Sequence, residues 1–304
     1  MPLASIAIPI WNGAEYIREC IASVKSQTLS DFECIVVDDG STDGSLALAM
    51  EAAGGDERFR FLRQEHQGLS AARNVGVAKA SSDIMFHLDA DDIALPGMME
   101  EALRFLEANS LEMAFFDSSV LDEGASKIFL ESDKRYFKRK KEYGIGRGRD
   151  ILTDMFKNGD YVYAAFLQVV RKSRIRRPFC LGLRAQDKLY TTQNLLLMER
   201  VGHLPKVLHV KRCHPKCITY SRHDVHYAWS RLKTGMELLK MMEKEGIVHE
   251  EAFRIAVSEL ASAARTMECL DGKESEWIDS LPLMDRGLMK AFERISVPRK
   301  IKMA

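Results

Sequence analysis

The sequence has no apolar run long enough to cross a bilayer, so no membrane-spanning helix is expected. It enters a strand-like stretch within its first residues, and no secretory signal peptide is expected either. Six cysteines at irregular spacing in 304 residues do not make a disulfide framework, which points to a reducing, cytoplasmic setting. There is no G-x-x-x-x-G-K-[ST] loop, which removes P-loop nucleotide hydrolysis. No G-x-G-x-x-G follows the first strand, which argues against a dinucleotide site of the usual kind. Low-complexity segments and internal repeats are missing as well.

Net charge is also missing, with 44 Lys+Arg against 44 Asp+Glu, but the charge is unevenly placed. Residues 1–126 carry 8 basic against 22 acidic side chains, and residues 127–184 carry 16 against 6. An acidic front and a basic middle suggest different partners for the two parts. No nucleic-acid partner is expected.

Hydrophobic period gives the fold class. Residues 5–10 form a buried strand with Pro9 near its end, where a missing N–H is tolerated. Tyr16, Ile17, Cys20, Ile21 and Val24 recur at helical spacing over residues 14–26. Strands at 32–37, 59–62, 84–88 and 113–116 then alternate with helices behind residue 43, at 70–80 and from Pro96 to about Asn109. Such alternation predicts an α/β fold: a Rossmann-like, mostly parallel sheet with helices on both faces.

In a parallel sheet the strand ends share one edge, where open α/β sheets bind ligands. Three polar sets fall there: Asp38-Asp39, His66-Gln67-Gly68, and Asp89-Ala90-Asp91-Asp92. Clustered carboxylates repel unless a cation joins them, and paired Asp hold Mg²⁺ or Mn²⁺ that bridges phosphates. Arg73, near the start of its helix, offers a fork of donors to a diphosphate. Together these describe a nucleotide-diphosphate site with a divalent metal. Asp38, Ser41 and Asp43 read as a capped turn, and Asp92 as a cap or as a group that supports the neighbouring carboxylates from behind.

Pro9-Ile10-Trp11-Asn12, Val37-Asp38-Asp39-Gly40-Ser41-Thr42-Asp43, Gln67-Gly68-Leu69-Ser70-Ala71-Ala72-Arg73-Asn74-Val75-Gly76 and Leu88-Asp89-Ala90-Asp91-Asp92 resemble, in order and spacing, the motifs of the family 2 glycosyltransferases. The resemblance is strong over the first 120 residues and weaker to about residue 221. It implies a GT-A catalytic domain over 1–221, with a nucleotide-sugar half at 1–120 and an acceptor half at 121–221, and a helical region at 222–304. It also implies inverting transfer from a UDP-sugar to a glycan or lipid-linked glycan, in the making of a surface polysaccharide. Asp39 would accept from uracil, with Pro9 and Trp11 (a Tyr in most of the family) beside the base. His66 stands where Asn is usual. Asp89 would meet ribose or metal, Asp91 would ligate Mn²⁺ or Mg²⁺, and Arg73 matches the motif's Arg.

The later chain is less decided. The family's Glu-Asp pair is Gln186-Asp187 here, which leaves Asp187 as the base that takes the acceptor proton. In the basic stretch at 209–221, the resemblance makes Lys211 or Arg212 phosphate-facing, puts Cys217 at a Ser position, and offers one of His209 and His214 as a metal ligand. A zinc site there is disfavoured by cramped spacing and the lack of a second C-x-x-C pair. The cations at 134–149 suit a solvated loop, or attraction to an anionic membrane at the inner face of the cell or to a phosphate-bearing acceptor. From Tyr227 two Met-rich helices follow, suited to packing on the catalytic domain, to pairing subunits, or to presenting an amphipathic face to a membrane. Two rival readings stand beside this one. A phosphoryl-transfer enzyme also puts Asp at parallel-strand ends, and Gln186 keeps open a sugar-nucleotide-binding module without catalysis.

Overall fold

The computed structural model describes residues 1–124, 137–184, 186–217 and 224–268. They fall into two compact units: Met1–Gly182 with Tyr190–Cys217, and Leu183–Leu189 with the described residues beyond Cys217.

The first unit begins with the alternation that the sequence period predicts: β1 (Ala4–Ile10), α1 (Ile17–Lys25), β2 (Phe32–Asp38), α2 (Ser45–Ala53), β3 (Phe59–Arg63), α3 (Leu69–Lys79) and β4 (Ile84–His87). A two-residue strand β5 (Ile93–Ala94), α4 (Met98–Ala108), β6 (Met113–Asp122), α5 (Gly148–Lys157), β7 (Gln168–Arg171), α6 (Asp187–Leu197, from Tyr190 onward in this unit) and β8 (Val201–Cys213) follow. The strands make one sheet in the order β3-β2-β1-β4-β7-β6-β8-β5. β1 to β4, β6 and β8 run one way, and β5 and β7 run against them.

Both faces of the sheet are covered, which is why β1 and β2 are buried along their whole length instead of alternating. On one face Ile6, Ile8, Ile10, Cys34 and Val36 join Ile17, Ile21 and Val24 of α1 in the main core. On the other face α3 lies so close that a Cβ at Gly76 would stand 2.6 Å from Ala7 Cβ. Pro9 is accommodated by the register: the β1–β4 ladder ends at Ala7 and His87, so Pro9 pairs only with Val37 of β2.

A 3₁₀ turn (Ala165–Leu167) leads into β7, which extends only from Gln168 to Arg171. One local expectation differs from the structure. The strand predicted at 113–116 continues to Asp122, because it pairs with the long β8 through a register shift near Asp117.

In the second unit α7 (Val225–Lys244) and α8 (Glu250–Glu268) pack on each other. Asp224 caps α7 by accepting from Tyr227 N at 2.9 Å. The buried Glu259 carboxylate accepts from Lys188 Nζ at 2.8 Å and Arg231 Nη1 at 2.6 Å, which ties Leu183–Leu189 to the helix pair. No helix of the described residues is long and apolar enough to cross a membrane. A basic run in the sequence, Pro298-Arg299-Lys300-Ile301-Lys302, lies outside the described residues.

Candidate functional site

The carboxyl ends of β2, β3 and β4 bring three polar groups to one edge of the first unit. At β2, Asp38 accepts from Ser41 N at 3.1 Å, and Asp43 accepts from Ala14 N and Ser45 N at 3.0 Å each, so both serve turns. Gly40 follows with φ +77, and a Cβ there would stand 3.0 Å from His66 N. The glycine therefore lets the loop after β3 close onto Asp39.

Asp39 is 1% exposed and has four close partners. Gln64 Nε2 (2.6 Å) and Gln67 N (2.9 Å) donate to Oδ1, and Gly68 N (2.8 Å) donates to Oδ2. His66 Nδ1 lies 2.8 Å from Oδ2. The His66 ring in turn stacks on the exposed Trp11 indole, centroids 4.6 Å apart and planes at 22°. Gln64 had no assigned role in the sequence reading. Its proximity to Asp39 is set by loop geometry and has no periodic signal.

Arg73 and Asp89 form the second group. The buried guanidinium donates to Asp89 Oδ1 at 2.5 Å and lies 5.2 Å from the Phe179 ring centroid. Phe179 stacks on Tyr190 at 3.9 Å, and His87 meets both rings edge-on. Neither His87 ring nitrogen has a hydrogen-bond partner among the described residues. Burial, helped by the Arg73 charge, pushes the His87 pKa down to about 3, so the imidazole is neutral.

The third group joins Asp91 and Asp92 to β8. The antiparallel register sets Ile93 against Val210, so Asp92 comes opposite Lys211. Asp92, 0% exposed, accepts from Lys211 Nζ at 3.0 Å and Arg212 N at 3.0 Å, with His209 Nε2 at 3.3 Å. Burial pushes the Asp92 carboxyl up, and the neighbouring carboxylates hold Lys211 charged against its own burial. His209 is fixed by Ser118 Oγ at 2.8 Å and stacks on Phe166.

Asp91 keeps 26% of its side chain exposed. Its Oδ2 lies 3.1 Å from His214 Nε2 and 3.9 Å from Cys217 Sγ, and its Oδ1 lies 3.5 Å from Lys211 Nζ. Burial alone would raise its pKa, but the Lys211 charge and the His214 contact outweigh that and hold it well below the usual carboxylate range.

Two assignments from the sequence meet other partners here. The Lys211 head is engaged by Asp92 and Asp91. Arg212 donates to Asp91 O at 2.9 Å and pairs with Glu19 and Glu123. Of the two histidines left open as metal ligands, His214 reaches Asp91 and His209 reaches Asp92.

A divalent cation fits this donor set. Asp91, His214 and Cys217 each offer a ligand atom within 4.8 Å of the others, and so do Asp89, Asp91 and Asp92. Asp91 belongs to both sets. His214, 5% exposed, has no hydrogen-bond partner for Nδ1 among the described residues.

Asp187 belongs to the second unit, where it opens α6 half-buried beside the buried Gln186. In the basic segment, Arg139 is buried against Asp117 at 2.9 Å, Lys141 meets Asp154 at 2.9 Å, and Arg147 and Arg149 meet Glu199 at 3.2 and 3.6 Å. Lys134 and Arg135 lie outside the described residues. The described cysteines all carry free thiols.

Comparison with known proteins gives one consistent answer. Residues 5–157 match the family described as "Glycosyl transferase family 2". The chain is 29% identical over 227 residues to the uncharacterized glycosyltransferase EpsJ of Bacillus subtilis, a match covering 72% of this chain and 63% of EpsJ. The chain thus spans less than two thirds of that relative, and only 30% and 52% of two others. Among solved structures it is similar to S. aureus TarS 1-349 in complex with UDP-GlcNAc, with TM-score 0.67, 17% identity, and 97% of this chain and 81% of that chain covered. It is also similar to the mannosyltransferase PcManGT of Pyrobaculum calidifontis in complex with GDP-Man and Mn²⁺, with TM-score 0.56, 16% identity, and 97% and 86% covered.

Proposed function

The chain belongs to glycosyl transferase family 2 and has the GT-A fold, and on that premise we propose that it transfers a sugar from a UDP-sugar to a glycan or lipid-linked glycan acceptor. The transfer inverts the anomeric carbon and serves the building of a cell-surface polysaccharide. One observation carries this reading: the enclosed Asp39 carboxylate, the Arg73–Asp89 pair and the Asp91–His214 pair sit at neighbouring strand ends of the same sheet. UDP-GlcNAc in TarS, and GDP-Man with Mn²⁺ in PcManGT, support a nucleoside-diphosphate sugar as the donor class.

In this reading the donor's uracil lies against Trp11 beside Pro9. Its ring N–H takes a place on Asp39 beside, or in exchange for, the Gln64 and His66 contacts. Arg73 fixes Asp89 for a ribose hydroxyl or the metal. Asp91 and His214, with Asp89 near, would hold Mn²⁺ or Mg²⁺, which when bound supplies charge to stabilise the departing diphosphate. Lys211 and Arg212 carry positive charge beside the same carboxylates and orient them. Asp187, the remaining acid of the family's pair, takes the acceptor proton. The proposed setting is cytoplasmic, peripheral at the inner membrane face, with the helices of the second unit available for subunit pairing.

The phosphoryl-transfer reading needs an accessible Asp beside a Lys. Asp92 is wholly buried, and Asp91, 3.5 Å from Lys211 Nζ, stands among Asp89, Asp92 and His214 instead of alone, while that reading gives no role to the motif at 67–76. Release of UDP from a panel of UDP-sugars, with Mn²⁺ and glycan acceptors, tests the proposal. Donor binding without turnover across suitable acceptors would favour a non-catalytic module instead.

A further inference from the structure

We propose that Cys217 is a third protein ligand of the divalent cation, so that the site has a carboxylate, an imidazole and a thiolate and prefers a borderline-soft ion of the Zn²⁺ or Co²⁺ kind to Mg²⁺. The inference rests on the assignment of Asp91 and His214 as metal-holding residues.

The geometry is local and specific. Cys217 N donates to His214 O at 3.0 Å and His214 N donates to Cys217 Sγ at 3.4 Å, so one tight turn holds both side chains. Both then face a single carboxylate oxygen, Asp91 Oδ2, at 3.1 Å from His214 Nε2 and 3.9 Å from Cys217 Sγ. The three ligand atoms lie within 4.8 Å of one another, a spacing that one ion bridges.

The other carboxylates of the cluster are engaged. Asp89 is taken by Arg73, and Asp92 by Lys211 and the Arg212 amide. Asp91 is thus the carboxylate that His214 and Cys217 share. Cys217 also differs from Cys20 and Cys34, which sit in the main apolar core between β2 and α1. Its surroundings are Asp91, His214 and the Arg212 carbonyl, a polar wall for a buried thiol.

Ligand softness decides the consequence. Mg²⁺ demands oxygen donors in near-octahedral geometry, whereas imidazole and thiolate suit Zn²⁺ and its neighbours. The resemblance of this stretch to its family places a serine hydroxyl where Cys217 stands, so sulfur replaces oxygen at this point. On coordination the thiol proton leaves to the buffer as the S–metal bond forms.

The test titrates the full chain, stripped of metal, with Co²⁺ alone, followed by absorbance and by calorimetry. The expected result is a near-ultraviolet sulfur-to-cobalt charge-transfer band in the wild type. The band should be absent in Cys217→Ser, which still binds Co²⁺ by calorimetry, and absent with binding lost in Asp91→Asn. Zn²⁺ affinity should fall by on the order of tenfold or more in Cys217→Ser, with Mg²⁺ affinity changed by less than about twofold. Co²⁺ binding to the wild type without the band would overturn the role of Cys217 and leave the Asp91–His214 site standing. Failure of the wild type to bind Co²⁺ or Mn²⁺, even with UDP present, would overturn both. The wild-type band, and its loss in Asp91→Asn, decide the matter even if Cys217→Ser does not fold.

Discussion

His214 Nε2 stands 3.1 Å from Asp91 Oδ2 although 123 residues separate them in the chain. The contact joins the acidic loop after β4 to the turn after β8, and it makes His214 part of the metal-holding group in the proposed function. His214→Ala is therefore expected to lower Mn²⁺ affinity by more than about tenfold, with a matching rise in the Mn²⁺ needed for UDP release. Calorimetry with Mn²⁺ and UDP checks this; unchanged affinity would detach His214 from the site.

Lys211 has a structural duty that the sequence concealed. Its ammonium is the charge partner of the fully buried Asp92. Removing it leaves a buried carboxylate uncompensated, so Lys211→Ala is expected to cost about 3–5 kcal/mol of stability in urea unfolding. A loss below about 1 kcal/mol would mean that Asp92 is relieved by other groups.

Asp117 gives a prediction about pH. It is buried against Arg139 at 2.9 Å and His203 at 3.3 Å. Burial would raise its pKa, but these partners hold it below its ordinary 3.8. A lowered folded-state value means that its contribution is present above 3.8 and fades as pH falls below that value. Asp117→Asn should be less stable by about 3–5 kcal/mol at pH 7, with the gap narrowing in the acid range. Urea unfolding at a series of pH values would show it; a gap that does not change with pH would contradict the assignment.

The part of this molecule legible in its sequence is the part built from local patterns. β1 to β4 and α1 to α4 follow from period and turn residues, and with them the positions of Asp39, Asp89 and Asp91 just past strand ends and of Arg73 early in α3. Contacts across 90 to 120 residues were not legible. The pairing of two-residue β5 with β8 has no periodic signal, yet that register sets Asp92 against Lys211. His209 and Lys211, two apart on β8, share a face and meet the same carboxylate. That alternation was the available clue that His209 belongs to Asp92, and it acquires meaning only once the opposing strand is known. Gln64 at Asp39 and the neutral His87 beneath Arg73 are likewise products of packing.

Asp187 tests the chemical step. As the proton acceptor it contributes to transfer and not to holding the donor. Asp187→Asn is expected to lower kcat by roughly 10²–10⁴-fold while UDP-sugar affinity stays within a few-fold. Transfer assays alongside donor calorimetry separate the two, and retained transfer would remove Asp187 from the mechanism.

The most direct measurement is UDP release by the wild type and by Asp91→Asn, across UDP-sugars, with a glycan acceptor and with Mn²⁺ present or chelated. The expected result is turnover of at least one UDP-sugar by the wild type, abolished by chelation and by Asp91→Asn, with the variant's far-ultraviolet circular dichroism unchanged. Full turnover in Asp91→Asn, or no binding of any UDP-sugar by the wild type, would contradict the account.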